Sequence, residues 1–309
     1  MRGVSSLFAF PGQGAQQVGM LHQLPPDAAA SLNEASDVLG EDVLVLDSEE
    51  ALQSTRAVQL CLLVAGVSCA RLLLERSPEP DYVAGLSIGA YAAAVIAGSL
   101  DFSDALRLVA LRGELMQRAY PQGFGMTAIL GLDQATVERL LAAAEGPVYL
   151  ANINAENQLV IAGSETAMAA VAERARGLGA GVAKRLAMSV PSHCELMNEP
   201  ARELAAAFAG VELRRPAIRY LSGTTARPVF DPERLRDDLA FNMCRVIDWH
   251  GTLRTAYERG VRLHIELPPG AVLSGLARRV FDQGTVIAFQ GARLDTLDAL
   301  LREEVSRTR

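Results

Sequence analysis

A serine on a glycine-flanked turn is the residue of this chain whose surroundings most favour covalent chemistry. Ser87 lies in Gly85-Leu-Ser-Ile-Gly89, between a β-favouring run at 82–84 and an Ala-rich stretch typical of a helix. On a tight strand-to-helix turn the hydroxyl is exposed, and the helix N-terminus directs N–H groups and a positive dipole end towards it. The motif predicts an acyl-enzyme nucleophile; the alternative is a serine in an ordinary loop.

A serine nucleophile needs a general base, and the chain has four histidines. His193 lies in the loop Val190-Pro-Ser-His, between a strand-like segment and a predicted helix, where a base can border a cleft. The other three histidines are expected to be structural. His22 would lie on the surface, His250 at the start of a helix, and His264 half-buried and hydrogen-bonded in a strand. The sequence therefore favours His193 as the base.

A second glycine-rich turn, Pro11-Gly-Gln-Gly-Ala-Gln16, follows a predicted buried strand at 6–10. It does not fit a phosphate-binding loop, because Gln17 stands where the third glycine of a dinucleotide fingerprint belongs and no Lys-Ser/Thr pair follows. Glycines on both sides of Gln13 allow its N–H to point into a cleft. The N–H of Ile88, the residue after the nucleophile, would complete an oxyanion hole. A plain tight turn is the alternative.

Five ordered motifs, spanning nearly the whole chain, resemble those of the malonyl-CoA:acyl-carrier-protein transacylases. They are Phe10-Pro-Gly-Gln-Gly-Ala-Gln16, Gly85-Leu-Ser-Ile-Gly89, Leu111-Arg-Gly-Glu-Leu-Met116, Val190-Pro-Ser-His193 and Glu266-Leu-Pro-Pro-Gly-Ala-Val-Leu273. The resemblance implies malonyl-CoA as substrate, an acyl carrier protein as partner, and neither a bound cofactor nor a metal.

The resemblance also implies a role for individual residues. Ser87 would be acylated and His193 would be its base, with oxyanion N–H groups from Gln13 and Ile88. Arg112 would bind the free malonyl carboxylate; without the resemblance it is an ordinary helix arginine.

Three further site assignments follow from the family pattern or from position. The backbone carbonyl that orients the base maps to Asp248, just before Trp249, and a pocket-lining glutamine maps to Gln59. Asn152 and Asn154, at the end of a predicted strand, either line the cleft or cap a turn.

The chain departs from the usual family pattern at Leu86, Ala90 and Pro268. Its version of the serine motif resembles the epsilon subunit of bacterial malonate decarboxylase. That subunit loads a carrier bearing a phosphoribosyl-dephospho-CoA arm, so other decarboxylase subunits would be partners. The alternatives are a transacylase of fatty-acid or polyketide synthesis, a serine hydrolase, and a non-catalytic scaffold. The hydrolase is disfavoured because no convincing acid follows the order Ser…Asp…His.

The element pattern predicts an α/β protein with a hydrolase-like core, a parallel sheet and a nucleophile elbow, formed by residues 1–124 and 191–309. After Pro121-Gln-Gly-Phe-Gly125 the pattern becomes βαββαβ, which predicts a small ferredoxin-like insert at 125–190. Its strands are expected at 126–130, 148–154, 158–162 and 182–186, and its helices at 133–144 and 165–178. The cleft between the two units would hold Ser87 on one wall, with His193 where the insert returns.

Composition is consistent with a cytoplasmic enzyme. The chain has 309 residues, half of them hydrophobic, and can bury a substantial core. A net charge of −7 gives no reason to expect nucleic acid. The four cysteines lack metal-ligand or disulfide spacing, and the apolar run at the N-terminus is too short for a signal peptide. The apolar stretch 57–70 predicts a core helix, because a membrane span needs about 20 apolar residues.

Overall fold

The computed structural model describes residues 5–120 and 122–308. Residues 1–4 and Pro121, which belong to the N-terminal run and to the predicted junction, lie outside this description. In chain order the strands are β1 (Ser5–Phe10), β2 (Tyr82–Gly85), β3 (Phe124–Leu130), β4 (Val148–Ala155), β5 (Gln158–Ser164), β6 (Val182–Arg185), β7 (Arg219–Leu221), β8 (Pro228–Val229), β9 (Ile247–Asp248), β10 (Val261–Glu266) and β11 (Thr285–Ala288).

Helices cover both sheets and connect most of the strands. They are α1 (Ala29–Leu39), α2 (Thr55–Leu74), α3 (Gly89–Ile96), α4 (Phe102–Ala119), α5 (Gln134–Ala142), α6 (Glu165–Gly177), α7 (Asn198–Ala207), α8 (Pro232–Phe241), α9 (Trp249–Glu258), α10 (Val272–Ala277) and α11 (Leu294–Thr308). The short turn Asn242–Cys244 after α8 is a 3-10 helix.

The larger sheet has the strand order β11-β10-β1-β2-β7-β8 and is parallel except for its last pair. Leu7 and Ala9 of β1 pack with residues of α9 and α10, whereas Phe8 and Phe10 pack with residues of α2 and α3. Because both faces of this strand are buried, it is a continuous apolar run rather than an alternating one. The predicted α/β class with a parallel sheet is confirmed.

Helix α2 is the central helix of the core. Its side chains are almost entirely buried, and the Ser54 hydroxyl caps its N-terminus by accepting from the N–H of Ala57. The helix is long and apolar enough to cross a membrane, but 89 % of its most apolar window is buried inside the protein. The core helix predicted at 57–70 is therefore confirmed, and it is longer at both ends.

The second sheet has the order β6-β3-β5-β4-β9, and the elements from β3 to β6 follow the predicted βαββαβ order. Each predicted strand and helix of the insert is present, with both ends within two residues of those expected. Asp133 caps α5 by accepting from the N–H of Thr136 at 2.8 Å, and Ser164 caps α6. The domain limits themselves stay a prediction.

One strand of this second sheet was not predicted to belong to it. The two-residue strand β9 comes from the C-terminal part of the chain and pairs in parallel with β4, with Asn152 opposite Ile247 and Ile153 opposite Asp248. The insert sheet is thus hydrogen-bonded to the core next to the cleft. A strand this short has no pattern of its own, so the sequence does not reveal it.

Candidate active site

Ser87 lies on the turn between β2 and α3 in a strained backbone conformation, with φ of +56°. Two glycines make this turn sterically feasible. A Cβ on Gly85 would lie 2.0 Å from the backbone of Gly89, and one on Gly89 would lie 2.2 Å from the carbonyl oxygen of Phe10. The strand and helix therefore approach as closely as a nucleophile elbow requires, and Ser87 faces a cleft.

The two predicted oxyanion donors lie on adjoining loops. Gly12 packs so closely against Leu86 that a Cβ on it would lie 2.7 Å from the leucine side chain. This close approach brings Gln13 to the cleft that Ser87 lines. Across residues 5–120 and 122–308, no acceptor pairs with the N–H of Gln13 or of Ile88. Both donors are therefore available, as an oxyanion hole requires.

His193 borders the same cleft and is 3 % exposed. Its backbone is also strained, with φ of +64°, and its N–H donates to the carbonyl of Met243 at 2.7 Å. Its Nδ1 lies 2.7 Å from the carbonyl oxygen of Asn242. Because a carbonyl only accepts, Nδ1 carries the proton and Nε2 keeps its lone pair, as a general base needs.

Burial lowers the pKa of His193 to about 4, and the positive charge of Arg112 acts in the same direction. The imidazole is therefore neutral at physiological pH. In the described part of the chain, the hydroxyl of Ser87 is hydrogen-bonded to Arg112 rather than to His193. The two predicted catalytic side chains share one cleft without contacting each other through a hydrogen bond.

The prediction that the carbonyl of Asp248 orients the base is wrong. The Asp248 carbonyl accepts from the hydroxyl of Thr252 at 2.8 Å, and its carboxylate caps α9 through the N–H of Gly251. The orienting carbonyl belongs to Asn242, six residues earlier in the chain. Asp248 is unsuited to the role because its backbone is paired within β9 and at the start of a helix.

Arg112, on α4, is completely buried directly beneath Ser87. Its Nη1 donates to the Gln59 amide oxygen at 2.7 Å, and its Nη2 donates to the Asn242 amide oxygen at 3.0 Å and to Ser87 Oγ at 3.3 Å. Its Nε has no partner, and no carboxylate of the described residues pairs with it. Burial lowers the pKa of Arg112 to about 10. A charged group without a counterion is costly to bury, and a strongly shifted pKa beside a cleft makes Arg112 a candidate functional residue.

Gln59 and Asn242 complete this arrangement. Gln59, 1 % exposed on α2, holds Arg112 from behind and also contacts Met116, so it does not line the cleft itself. Asn242 was missed by the sequence analysis. Asn242 belongs to no recognisable motif. The one feature of the sequence that could have indicated the turn that carries it is its position seven residues before Trp249.

The cleft has a volume of about 360 Å³ and separates the core from the insert. Asn152 and Asn154 both line it, and each has a buried amide oxygen that accepts no hydrogen bond from the residues the structure describes. The apolar part of the lining includes the side chains of Met116, Met126 and Leu186. The cleft therefore offers an apolar channel with amide oxygens along one wall.

The other histidines are structural, with one difference from expectation. His22 is partly exposed and bonds Asp47, and His250 lies in the first turn of α9. His264, expected to be half-buried and satisfied, is fully buried, and neither ring nitrogen has a hydrogen-bond partner of good geometry among the described residues. Its ring packs edge-on against Phe281, with 5.8 Å between the ring centroids. Burial lowers the pKa of His264 to about 4.

An elbow serine and a neutral histidine line one cleft, and a buried arginine contacts the serine. With two nearby N–H groups that no described residue accepts from, these are the features of an acyl-transfer site on an α/β core. Comparison with known proteins agrees. Residues 7–303 match the acyl transferase domain family. The malonyl CoA-acyl carrier protein transacylase of Haemophilus influenzae is 39 % identical over 88 % of this chain and 90 % of its own length. That of Escherichia coli K12 is 37 % identical over 91 % of this chain and 94 % of its own.

Solved structures give the same result. FabD from Acinetobacter baumannii superposes with a TM-score of 0.90 at 35 % identity, covering 98 % of this chain and 99 % of that one. A malonyl-transacylase in complex with its type II PKS acyl-carrier protein superposes with a TM-score of 0.87 at 36 % identity, covering 92 % and 94 %. The chain belongs to the acyl transferase domain family, and it is an acyltransferase.

Proposed function

We propose that the protein transfers the malonyl group from malonyl-CoA to the thiol of an acyl carrier protein through a malonyl-Ser87 intermediate. The observation that carries this proposal is the buried Arg112, which contacts the nucleophile and has no carboxylate partner within 5–120 and 122–308. A planar guanidinium pairs with a carboxylate through two charge-assisted hydrogen bonds. An acyl group that brings its own carboxylate supplies the missing counterion, and malonyl is such a group.

In the first half-reaction, Nε2 of His193 takes the proton of the Ser87 hydroxyl as the oxygen attacks the thioester carbonyl. The N–H groups of Gln13 and Ile88 stabilise the resulting oxyanion. When the C–S bond breaks, the leaving thiolate takes the proton from the imidazolium and departs as the CoA thiol. Ser87 is left as a malonyl ester and His193 is neutral again.

The second half-reaction reverses these steps with a different thiol. His193 deprotonates the thiol of the carrier arm, the thiolate attacks the Ser87 ester, and the serine oxygen recovers the proton as it leaves. Thioester and oxyester differ modestly in energy, so the concentrations of CoA and carrier set the direction. The amide oxygens of Asn152 and Asn154 are suited to accept hydrogen bonds from the amide N–H groups that a pantetheine arm carries.

For the carrier, we favour the acyl carrier protein of fatty-acid or polyketide synthesis. The relatives described above are transacylases named for acyl carrier protein, and one is bound to a polyketide-type carrier. Nothing in these comparisons supports the malonate decarboxylase hypothesis, which rested on Leu86 and Ala90.

Transfer assays with two carriers decide between these hypotheses. Transfer from malonyl-CoA is measured to a phosphopantetheine carrier and to one bearing a phosphoribosyl-dephospho-CoA arm, at equal concentrations. We expect a clear preference for the phosphopantetheine carrier. A strong preference for the other arm would restore the decarboxylase assignment and leave the transacylase chemistry intact.

Malonyl-CoA without any carrier tests transfer against hydrolysis. We expect one malonyl group retained per protein and little free malonate. Rapid release of bulk malonate would show a serine hydrolase. No formation of an ester on Ser87 at all would show a protein that keeps the fold without the reaction.

A further inference from the structure

Asn242 is hydrogen-bonded to three residues of the site: His193, Arg112 and Ser87. It is 2 % exposed, and its backbone carbonyl accepts from Nδ1 of His193. Its amide oxygen accepts from Nη2 of Arg112 at 3.0 Å, and its amide nitrogen donates to the carbonyl of Ser87 at 3.2 Å. The backbone carbonyl, the amide oxygen and the amide nitrogen of Asn242 therefore each have a hydrogen-bond partner in the site.

The segment that carries Asn242 is held rigidly. The hydroxyl of Tyr91, on the helix after the nucleophile, donates to the carbonyl of Leu239 at 2.8 Å. One residue earlier in α8, the buried carboxylate of Asp238 accepts from the hydroxyls of Tyr220 and Ser222 at 2.9 and 2.8 Å. Because α8 is fixed at its C-terminal end, the position of the Asn242 amide relative to Arg112 is fixed as well.

Both side chains that hold the Arg112 guanidinium from the protein side are neutral amides. Gln59 accepts from Nη1 and Asn242 accepts from Nη2. A neutral acceptor positions the guanidinium and leaves its charge uncompensated. A carboxylate in either place would form a buried ion pair with Arg112 and would compete with the carboxylate of an acyl group.

The hydrogen bonds also leave one edge of the guanidinium open. No described residue accepts from Nε, and Nη2 donates to Asn242 at 3.0 Å and to Ser87 Oγ at 3.3 Å. Nε and Nη2 share one edge of the planar group, which is a two-donor fork for a carboxylate. That edge adjoins the nucleophile.

We propose that Asn242, acting with Gln59, determines acyl specificity by holding Arg112 through neutral acceptors, so that the Nε/Nη2 edge binds the carboxylate of the acyl group. The proposal rests on the proposed malonyl transfer, and it assigns to Asn242 the role of leaving the charge of Arg112 uncompensated for the substrate. Asn242 thereby contacts both the arginine that selects the acyl group and, through its backbone carbonyl, the base that activates Ser87.

The test replaces the neutral acceptor by a charged one of the same shape. In Asn242→Asp the new carboxylate pairs with Arg112, so kcat/KM for malonyl-CoA should fall about 10- to 100-fold, the worth of a charge-assisted hydrogen bond. Both substrates lose the hydrogen bond that the Asn242 amide nitrogen donates to the carbonyl of Ser87. Acetyl-CoA has no carboxylate contact to lose in addition, so its kcat/KM should fall several-fold less than that of malonyl-CoA. The malonyl-to-acetyl ratio should therefore fall at least several-fold.

Two controls separate this effect from simpler ones. Asn242→Ala removes the acceptor without adding charge, and it should reduce the ratio less than Asn242→Asp does. Gln158→Glu adds a negative charge to the lining of the cleft at a residue that is not among the partners of Arg112 in the described part of the chain, and it should leave the ratio near the wild-type value. Equal losses of malonyl and acetyl transfer in both Asn242 variants would show a purely structural role and overturn the proposal.

The proposal and the proposed function fail in different ways. A wild-type protein that is malonylated on Ser87, with an Asn242→Asp variant that keeps the wild-type ratio, overturns only the specificity role. A wild type that never accepts malonyl overturns both. If circular dichroism shows that Asn242→Asp is unfolded, Gln59→Glu places a carboxylate beside Nη1 of Arg112 instead. A lowered malonyl-to-acetyl ratio in that variant supports the proposal, and an unchanged ratio overturns it.

Discussion

Replacing Arg112 by alanine separates a role in selectivity from a role in the fold. The substitution removes the proposed partner of the malonyl carboxylate, and truncating one member of a buried charge pair costs about 2–5 kcal/mol. This corresponds to a loss of about 30-fold to several thousand-fold in kcat/KM for malonyl-CoA. Acetyl-CoA should lose little, because it has no carboxylate to pair.

The effect on stability should be small because two contributions oppose each other. Burial lowers the pKa of Arg112 from 12.5 to about 10, which corresponds to a penalty of roughly 3 kcal/mol for keeping the charge inside. Removing a fully buried side chain of this size leaves a cavity that costs about 2–5 kcal/mol. The melting temperature of Arg112→Ala should therefore stay close to that of the wild type.

The assay measures malonyl and acetyl transfer for both proteins across pH, together with thermal unfolding. Removing the positive charge takes away one of the two causes that depress the pKa of His193, while burial remains. The acid limb of acetyl transfer by Arg112→Ala should therefore move to higher pH and stay below the ordinary histidine range. Equal loss of both activities, or an unfolded variant, would refute the reasoning and place selectivity elsewhere.

Three further predictions concern the catalytic pair, acid stability and the elbow. Ser87→Ala and His193→Ala should each nearly abolish transfer, and the double variant should be little worse than either, since the two act as a unit; losses that multiply would contradict this. The pKa values of His193 and His264 are lowered from 6.5 to about 4, so between these values the unfolded chain binds protons that the folded protein excludes. The free energy of unfolding should fall with falling pH in this window, by up to about 1.4 kcal/mol per pH unit for each histidine, and urea unfolding of His264→Leu should show a shallower dependence. Gly89→Ala should cost about 1–3 kcal/mol or prevent folding, because its Cβ would lie 2.2 Å from a carbonyl oxygen, whereas Gly177→Ala, with no atom within 4 Å, should not destabilise.

The sequence was most informative where local patterns decide the structure. The glycine-flanked serine between a strand and a helix predicts the elbow, and the alternation of apolar residues predicts the element order of the insert. Both depend on interactions between residues that are close in the chain. The structure agrees at β2, at α3 and from β3 to β6.

Interactions between distant segments could not be predicted in this way. The carbonyl that orients His193 was assigned to Asp248, but it belongs to Asn242, because the path of the chain after α8 depends on how that helix packs. The burial of Arg112 shows the same limit. A helix arginine is normally exposed, and only the three-dimensional surroundings of Gln59 and Asn242 explain why this one is not.

Mass spectrometry of the protein after mixing with malonyl-CoA alone tests the account most directly. The peptide that contains Ser87 should gain the mass of one malonyl group, and the adduct should disappear when CoA thiol or a phosphopantetheine carrier is added. Acetyl-CoA at the same concentration should label the peptide far less in the wild type, and Ser87→Ala should not be labelled by either. An adduct on another residue, or equal labelling by malonyl and acetyl groups, would contradict the assignment of Ser87 as nucleophile and of Arg112 as the group that selects the acyl carboxylate.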